Sequence, residues 1–451
     1  MTTLAITNAD ADRLFAGLDA DSETGWLLGV RVAADGALLL GRRLHDVRAD
    51  AYRERGPRRM VIASQGYVSA FSAVHRDGCL AAFVHTHPGG DPSSSTLDEE
   101  VNRQLTEFAA SRGGHGYVAL IVGGTTVSPR FSGLVVDASG SVRPIERLRV
   151  VGRRLRVLLA EGTPHRTPPA IFDRQIRAFG PDGQRMLASL RVGVVGAGGT
   201  GSPTVEQLAR LGVGEIIVID DDTVDDTNLT RIHGSTTADI GRYKAELAVA
   251  LAQTYGTGTR ATAVVGSAAT CAGIEALRNC DVIFGCTDDH AGRLVLSRLA
   301  YRYLIPVIDC GVVVDSDDIE IHGVIGRVTF VAPGEPCLIC RGQVNPRAAA
   351  EEMMDPDRRL ELAGQGYAGR QAGPAPAVVS FTTLTSAYAV SDLLGRLFGY
   401  NETTPSQVLL RLHASTISHA GRAAQDGHYC AVEDEWGAGD SDPPLGIAGL
   451  Q

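Results

Sequence analysis

The chain has 451 residues, 44% of them hydrophobic and 21% charged, which is typical of a soluble globular protein and is too much chain for one ordinary core. Its formal net charge of −10 argues against broad nucleic-acid binding, which needs a basic face. No apolar run reaches the roughly 20 residues of a membrane span, no secretory signal is visible, and eight scattered cysteines suit a reducing compartment. We therefore expect a cytoplasmic protein of two domains that binds neither membranes nor nucleic acids.

Residues 1–145 are predicted to form a compact α+β domain. Short apolar runs predict its strands, and the polar loop GGDPSSST separates one of them from a helix. The strands are expected at 25–42 (two strands around a turn at 34–36), 79–84, 117–123 and 132–136, and the helix at about 97–111.

A connector is predicted between residues 146 and 171. Residues 146–160 are rich in arginine and leucine and favour a linker helix, with the arginines from Arg147 to Arg156 on its solvated face. The Pro-rich stretch TPHRTPPA that follows is the best candidate for a domain boundary.

From residue 172 to residue 451, apolar strands alternate with helical stretches, which is typical of a Rossmann-like α/β domain with a mostly parallel sheet. The polar segment 341–375 is predicted to be a mobile loop, and the tail from about 434 is expected to be extended. The strands are predicted at 191–195, 215–219, 261–265, 281–285 and 305–309, and the helices at 202–212, 241–254 and 290–303.

Two histidines, His85 and His87, stand one residue apart at the end of a predicted strand, so that both side chains face the same side. Asp98 follows at the start of the next predicted helix. Two imidazoles and one carboxylate make a three-ligand zinc site whose fourth position is open to water, and zinc lowers the pKa of that water towards about 7. Asp91 is an alternative ligand, but the spacing favours Asp98.

The pattern H-x-H-P followed by S-x-x-D, with a distant glutamate upstream, resembles the JAMM family of zinc hydrolases, also called JAB or MPN+, whose fold is cytidine-deaminase-like. The match consists of His85, His87, Ser95 and Asp98, and Glu23 is the upstream glutamate. The resemblance implies that Glu23 is the general base and that Ser95 hydrogen-bonds the developing oxyanion. Because a lone H-x-H pair is usually structural, the hypothesis depends on the whole set.

The run VGVVGAGGTGS follows a predicted strand and opens a helix. Its glycines, Gly196, Gly198, Gly199 and Gly201, let the backbone approach a phosphate at a helix N-terminus. Asp220, at the end of the next strand, can bind ribose hydroxyls. These features alone fit NAD as well as ATP.

Three cations outside this loop, Arg174, Arg231 and Lys244, favour ATP over NAD. Charge accumulates on an α-phosphate under attack by a carboxylate, and cations stabilise it. Asp288 offers an oxygen ligand for Mg²⁺.

These ordered blocks resemble the ThiF/MoeB/ubiquitin-activating family of adenylyltransferases across roughly residues 172–430. The resemblance implies that Asp220 holds the ribose, that Gly199 lines the nucleotide and that Asp288 organises Mg²⁺. It also implies that Arg174 enters the site of a partner subunit, and hence a homodimer. The other residues expected around the nucleotide and its phosphates are Asp222, Asn228, Arg231 and Lys244.

Many members of that family carry zinc on two C-x-x-C pairs, and only the first pair, Cys337 and Cys340, is intact here. The expected place of the second pair holds His428 and Cys430. Two interpretations remain open: a second, structural zinc site of three cysteines and one histidine, or a knuckle without metal.

The step after adenylation has no obvious nucleophile in the sequence. Family members that form thioesters place a cysteine in the crossover loop, and residues 341–375 contain none. Cys310 lies close to the predicted nucleotide site and Cys286 ends another predicted strand, but both are interpreted as small buried hydrophobic residues. The adenylate is therefore expected either to be the product or to pass to a group on another protein.

Two functions follow from these resemblances. The first is a bifunctional enzyme of a bacterial ubiquitin-like system: a zinc-dependent (iso)peptidase that removes or trims a ubiquitin-like protein, fused to an ATP- and Mg²⁺-dependent domain that adenylates its C-terminal glycine, with a separate conjugating-type protein as a further partner. The alternative is the activation and processing of a sulfur carrier for cofactor or cysteine biosynthesis. The complete sets of acidic and basic residues disfavour a non-enzymatic scaffold or a dehydrogenase.

Overall fold

The chain forms two compact units. The first contains Met1–His165 and Trp436–Asp440, and the second contains Arg166–Glu435 and Ser441–Gln451. The structure, a computed structural model, describes residues 1–33, 35–111, 116–163, 167–317, 319–355, 357, 359, 376–447 and 450.

The first unit is built on a mixed nine-stranded sheet with the order β11-β10-β1-β3-β2-β6-β7-β8-β9, and β4 and β5 form a separate hairpin. The predicted strands of this region are all present. The strands are β1 (Thr3–Thr7), β2 (Gly25–Val32), β3 (Leu38–Asp46), β4 (Tyr52–Arg55), β5 (Met60–Ile62), β6 (Leu80–Pro88), β7 (Gly116–Gly124), β8 (Pro129–Asp137), β9 (Val142–Pro144), β10 (Arg147–Val151) and β11 (Leu155–Leu159).

Helices cover both faces of this sheet, namely α1 (Asn8–Ala16), α2 (Ser64–Arg76) and α3 (Thr96–Ser111). Strand β6 shows how the faces divide, because Ala82 and Val84 pack in the cluster that includes α1, whereas Ala81 and Phe83 pack in the cluster that includes α2 and α3. Continued alternation directs His85 towards the α2–α3 side, where its ring stacks on Phe83.

The predicted linker helix over residues 146–160 is wrong. These residues form β10 and β11, and β10 pairs with β1 along its whole length. The run Arg147-Leu148-Arg149-Val150 alternates with a period of two, which suits a strand, and all four side chains are buried. Burial of the two arginines, which the helix interpretation placed in solvent, is the physical reason for the error.

The second unit contains the predicted α/β arrangement. Its eight-stranded sheet has the order β14-β13-β12-β15-β16-β17-β18-β19; the pairings from β14 to β16 are parallel and the remaining ones antiparallel. The strands are β12 (Arg191–Val195), β13 (Glu215–Ile219), β14 (Arg260–Val264), β15 (Val282–Gly285), β16 (Val307–Ser316), β17 (Ile321–Val331), β18 (Gln407–Arg411) and β19 (Thr416–His419).

Seven helices belong to the second unit, within the residues that the structure describes. They are α4 (Asp173–Ser189), α5 (Gly201–Arg210), α6 (Lys244–Thr254), α7 (Cys271–Leu277), α8 (His290–Arg302), α9 (Pro346–Glu352) and α10 (Val379–Phe398). Helix α9 lies inside the segment 341–375 that was predicted to be a loop, and most of the rest of that segment lies outside the described residues. Within the described residues no helix is long and apolar enough to cross a membrane.

The tail differs from the extended segment that was expected from residue 434 onward. Short 3₁₀ turns occur at Glu433–Glu435 and Pro444–Gly446, and the five residues between Trp436 and Asp440 belong to the first unit. Within that unit, Arg42 donates a 3.0 Å hydrogen bond to the carbonyl oxygen of Trp436.

The placement of β10 in the core can be tested with a matched pair of substitutions. Val150→Ala is expected to lower the free energy of unfolding of the first unit by about 2–3 kcal/mol, because Val150 is fully buried. Val142→Ala, at a side chain that is 61% exposed, is expected to change it by less than about 0.5 kcal/mol. Both tryptophans, Trp26 and Trp436, lie in this unit, so tryptophan fluorescence during urea unfolding reports on it; equal effects of the two changes would contradict the strand.

Candidate metal and nucleotide sites

The first cluster forms at the carboxyl end of β6. Alternation along the strand directs His85 and His87 to one side, and the pairing of Gly25 with His85 brings the segment before β2 alongside. Asp98 lies in the first turn of α3. Strand register therefore brings the upstream segment of Glu23 to the histidines.

Three residues of this cluster place their ligand atoms near the spacing that a zinc ion needs. His85 Nε2 is 3.2 Å from His87 Nε2 and 3.1 Å from Asp98 Oδ1, and His87 Nε2 is 3.8 Å from Asp98 Oδ2. Ligands at about 2.0–2.1 Å from a tetrahedral centre are about 3.3 Å apart. The donor set and its spacing are compatible with a zinc ion, and the zinc site stays a prediction.

A capping box at the start of α3 positions the carboxylate. The backbone N–H of Ser95 donates to Asp98 Oδ2 at 2.8 Å, and the backbone N–H of Asp98 donates to Ser95 Oγ at 3.2 Å. Ser95 Oγ also donates to Asp98 Oδ2 at 2.6 Å. Although burial opposes ionisation, the hydrogen bonds from His85 and Ser95 hold the pKa of Asp98 far below its usual range.

Asp91, the alternative ligand, lies outside this cluster. Its carboxylate accepts hydrogen bonds from the backbone N–H and the hydroxyl of Ser93, at 2.9 and 2.7 Å. Its backbone carbonyl lies 2.8 Å from His87 Nδ1. A proton on Nδ1 would donate to that carbonyl and leave Nε2 free to bind a metal.

Glu23 lies beside the cluster and is buried. Burial raises the pKa of Glu23, and the imidazoles of His87 and His85 oppose that shift. Glu23, His87, Ser95 and Asp98 line one cavity of about 470 Å³. A carboxylate in this position can exchange protons with a water or a peptide at the cluster.

A second cluster joins the intact cysteine pair to the chain near its end. His428 Nδ1 is 3.4 Å from the sulfurs of both Cys337 and Cys340 and 3.3 Å from that of Cys430, and the sulfurs of Cys340 and Cys430 are 3.6 Å apart. Zinc–sulfur bonds of about 2.3 Å give tetrahedral edges of about 3.5–3.8 Å. These four residues therefore fit a Cys₃His zinc site, with His428 as its fourth member.

Hydrogen bonds favour the thiolate form of cysteine in this second cluster. A hydrogen bond with Cys430 lowers the pKa of Cys337 to about 5, against the effect of burial. Backbone N–H groups of Cys340 and Gln425 point at the sulfurs of Cys337 and Cys340, at 3.5 and 3.4 Å. Such donors stabilise negative charge on sulfur.

The third site is a cleft of about 680 Å³ above the glycine-rich loop of the second unit. Gly196 has a φ of 90°, which favours glycine, and a Cβ at Gly201 would overlap the carbonyl oxygen of Gly196. A Cβ at Gly198 would meet nothing within 4 Å, so its backbone is open to a ligand. Several predicted residues line this cleft: Gly196, Gly198, Gly199, Asp220, Asp222, Arg231, Lys244 and Asp288.

An acidic pair and a lysine define one wall of the cleft. Asp220 accepts the N–H of Ala197 at 2.6 Å and that of Asp222 at 2.9 Å, and burial raises the pKa of Asp220. Lys244, the only lysine in the 451 residues, donates to Asp222 Oδ2 at 2.7 Å. Asp220 is thereby tied to the glycine loop, and its predicted role at a ribose stays a prediction.

Two predicted residues lie away from this wall. Asn228 is buried, and its side-chain amide donates to Asp225 Oδ1 at 2.8 Å, which shapes the loop before Arg231 rather than the cleft. Arg174 is exposed on α4 and does not line the cleft. Its predicted role in a partner subunit stays a prediction.

An ion-pair group beside the cleft was not predicted from the sequence. The fully buried Asp309 accepts hydrogen bonds from Arg293 at 3.0 Å and from Arg327 at 3.1 Å, and Arg293 lines the cleft. The contact joins the consecutive elements α8, β16 and β17 through residues that are 16 and 18 positions apart in the sequence.

Cys286 and Cys310 also line the cleft, with their sulfurs 3.5 Å apart. A hydrogen bond with Cys286, together with complete burial, holds the pKa of Cys310 well above its usual value. A neutral buried thiol is a poor nucleophile, in keeping with the interpretation of Cys310 as a packing residue.

The model of the ThiF family matches residues 172–430, which is more than half of the chain. The chain belongs to the ThiF family. A SAMP-activating enzyme E1 of Haloferax volcanii is 33% identical over 36% of this chain and 56% of its own length. The adenylyltransferase and sulfurtransferase UBA4 of Yarrowia lipolytica is 32% identical over 38% of this chain and 41% of its own length. The chain therefore spans about half the length of these ThiF-type relatives.

Among solved structures, E. coli MccB has a TM-score of 0.45 and 17% identity, over 59% of this chain and 73% of that chain. The ThiF match begins after the last strand of the first unit, β11, and it includes all the predicted nucleotide-binding residues.

The metal clusters can be tested by elemental analysis of the purified full-length chain. We expect about two zinc ions per chain, because both clusters have complete donor sets. Asp98→Asn is expected to remove one ion and Cys340→Ser the other, whereas Asp91→Asn is expected to remove none. Loss of zinc in Asp91→Asn with retention in Asp98→Asn would show that the ligand set is wrong.

Proposed function

We propose that the ThiF-family unit uses ATP and Mg²⁺ to adenylate the C-terminal glycine of a small ubiquitin-like or sulfur-carrier protein, and that the first unit is a JAMM-type zinc hydrolase that cuts or trims the same tail. For the adenylating unit, the carrying observation is the cleft in which the glycine loop, Asp220 and Lys244 meet. For the hydrolase, it is the close set of His85, His87 and Asp98 beside Glu23.

In adenylation, a carboxylate oxygen of the carrier's last glycine attacks the α-phosphorus of ATP, and the bond to the bridging oxygen of pyrophosphate breaks. Asp220 would accept hydrogen bonds from the ribose. Arg231 and Lys244 would stabilise the charge on the phosphates, and Asp288 would ligate Mg²⁺. Lys244 is held by Asp222 at 2.7 Å, so a phosphate oxygen would compete for an amine that is already positioned.

The next acceptor belongs to another protein in this proposal. Residues 341–375 contain no cysteine, and Cys310 is buried with a raised pKa. A thiol or amine on a separate conjugating-type protein, or a sulfur donor, would therefore receive the acyl group.

Arg174, exposed on α4, would reach the site of a second subunit in a homodimer.

In the hydrolase, His85, His87 and Asp98 would hold zinc, which supplies a hydroxide-like water at neutral pH and polarises a carbonyl. Glu23 would take the proton of the attacking water and return it to the leaving amine. The hydroxyl of Ser95 donates a hydrogen bond of 2.6 Å to Asp98 Oδ2. To stabilise an oxyanion, this hydroxyl would have to break that bond and donate to the oxyanion instead.

A sulfur-carrier role is the second candidate. The relative from Yarrowia lipolytica and the probable MoeZ of Mycobacterium tuberculosis are both named as adenylyltransferases and sulfurtransferases, the latter 53% identical over 16% of this chain. The Haloferax relative, in contrast, is named as an activating enzyme E1. Mass spectrometry of the carrier after reaction separates the two: a thiocarboxylate in place of the terminal carboxylate indicates sulfur transfer, and a carrier–protein amide indicates conjugation.

Adenylation is tested by ATP–pyrophosphate exchange with a small β-grasp protein ending in glycine, taken from the neighbouring reading frames. We expect exchange only with that protein, and a loss of about 100-fold in Lys244→Ala, because one cation on the transferring phosphate is removed. Arg260→Ala, at a side chain that is 76% exposed on β14, is the control and is expected to exchange normally. Binding of NAD without binding of ATP would overturn the proposal.

The hydrolase is tested on a fusion in which a short peptide extends the carrier beyond its glycine. Glu23→Gln is expected to slow cleavage by about 10²–10⁴-fold, because the proton acceptor is lost. Zinc content of this variant should remain normal, since Glu23 is outside the ligand set. Cleavage that persists in Glu23→Gln, or in protein stripped of zinc, would contradict the assignment.

A further inference from the structure

A hairpin beside the zinc-type cluster of the first unit concentrates positive charge. It consists of β4, β5 and the turn between them, and residues 52–62 are called here the arginine hairpin. Its only acid is Glu54, and it carries four exposed arginines: Arg53, Arg55, Arg58 and Arg59. Because the chain as a whole has a net charge of −10, this patch is a local feature and not part of a generally basic surface.

Hydrogen bonds fix the arginine hairpin to the segment that holds Glu23. The backbone N–H of Glu23 donates to the carbonyl oxygen of Gly56 at 2.9 Å, and Arg55 Nε donates to the carbonyl oxygen of Glu23 at 3.0 Å. At the base of the hairpin, the N–H of Gly25 donates to the hydroxyl of Tyr52 at 3.1 Å. The hairpin therefore has a defined position relative to the cluster.

Two of the arginines reach the cavity of about 470 Å³ in which Glu23, His87 and Asp98 lie. Arg59 Nε forms an ion pair with Glu54 Oε2 at 3.1 Å, and the two side chains are 64% and 52% exposed. The structure gives Arg58 no ion-pair or hydrogen-bond partner among the described residues. The rest of the cavity wall includes an apolar strip: Met60, Tyr67, Phe83, Leu97 and Val101.

Three acids line the same cavity, Glu23, Asp91 and Asp98, and Glu23 is buried. Asp98 accepts hydrogen bonds from Ser95 and lies against His85, and the carboxylate of Asp91 accepts two hydrogen bonds from Ser93. These hydrogen bonds position the carboxylates without cancelling their charge, so the excess of positive charge is confined to the hairpin, where four exposed arginines face one glutamate. Such a surface attracts carboxylates and repels ammonium and guanidinium groups over about 8–10 Å at moderate salt.

We propose that the hydrolase site selects polypeptides with aspartate or glutamate next to the scissile bond, and that Arg58 and Arg59 are the residues that select them. This inference depends on the proposed hydrolase function only for its cleavage readout. Attraction at exposed cations acts on the encounter and on ground-state binding, so it lowers KM or the dissociation constant and leaves the bond-breaking step unchanged.

The test uses the zinc-loaded full-length chain and two fluorescent peptides that differ only around a central Gly–Gly, one with flanking glutamates and one with flanking lysines. Binding is followed by anisotropy and cleavage by chromatography. We expect the glutamate peptide to bind and to be cleaved about tenfold better in kcat/KM, through KM, and the preference to shrink as salt is raised. In the double variant Arg58→Gln/Arg59→Gln the preference is expected to vanish.

Two further variants separate charge selection from a structural role. Arg58→Glu/Arg59→Glu is expected to reverse the preference towards the lysine peptide, which a merely misfolded hairpin would not do. Arg76→Gln removes the same charge from α2, outside this cavity, and should leave the preference intact.

The outcomes distinguish this inference from the function on which it builds. Selective binding of the glutamate peptide without cleavage would contradict the hydrolase and support the charge selection. Cleavage or binding without charge preference, or binding of neither peptide, would overturn the charge selection. A single-stranded oligonucleotide that competes equally through Arg58 and Arg59 would also overturn it, because the hairpin would then be a general polyanion surface.

Discussion

Backbone register between neighbouring strands is the constraint on which the geometry of both the nucleotide cleft and the cluster of His85 depends. In the second unit, Val195 pairs with Ile219 and with Gly285, so the loops that follow β12, β13 and β15 leave the sheet at one edge. Gly196, Asp220 and the segment of Asp288 meet there for that reason. A shift of one residue in any of these ladders would send the side chains to opposite faces.

The same constraint operates in the first unit, with a helix cap added. The pairing of Gly25 with His85 brings the segment of Glu23 to the histidines. The capping box between Ser95 and Asp98 serves two purposes, because it begins α3 and also aims one carboxylate oxygen at His85. The S-x-x-D spacing is thus explained by helix capping as well as by the proposed metal site.

Features that depend on local patterns could be predicted from the sequence, and features that depend on distant contacts could not. Alternation and glycine spacing were enough to predict the parallel sheet, the loop from Gly196 to Gly201 and the placement of His85 with His87. The ion pairs of Asp309 join three elements, and nothing local announces them. Strand β10 was mistaken for a helix because exposure of its arginines was assumed, although their alternation with Leu148 and Val150 already indicated a strand.

Residues Trp436–Asp440 belong to the first unit although they follow most of the second unit in the sequence, and this affects how the gene can be divided for expression. Gly437, with a φ of 66°, packs against the carbonyl oxygen of Gly41, and a side chain there would collide with it. An expression fragment that stops in the Pro-rich connector would lack these five residues, and one that stops at residue 145 would also lack β10 and β11. Fragments of the first unit should therefore extend through Leu159 and be supplied with the peptide 436–440, and poor solubility of a shorter fragment would say nothing about the intact protein.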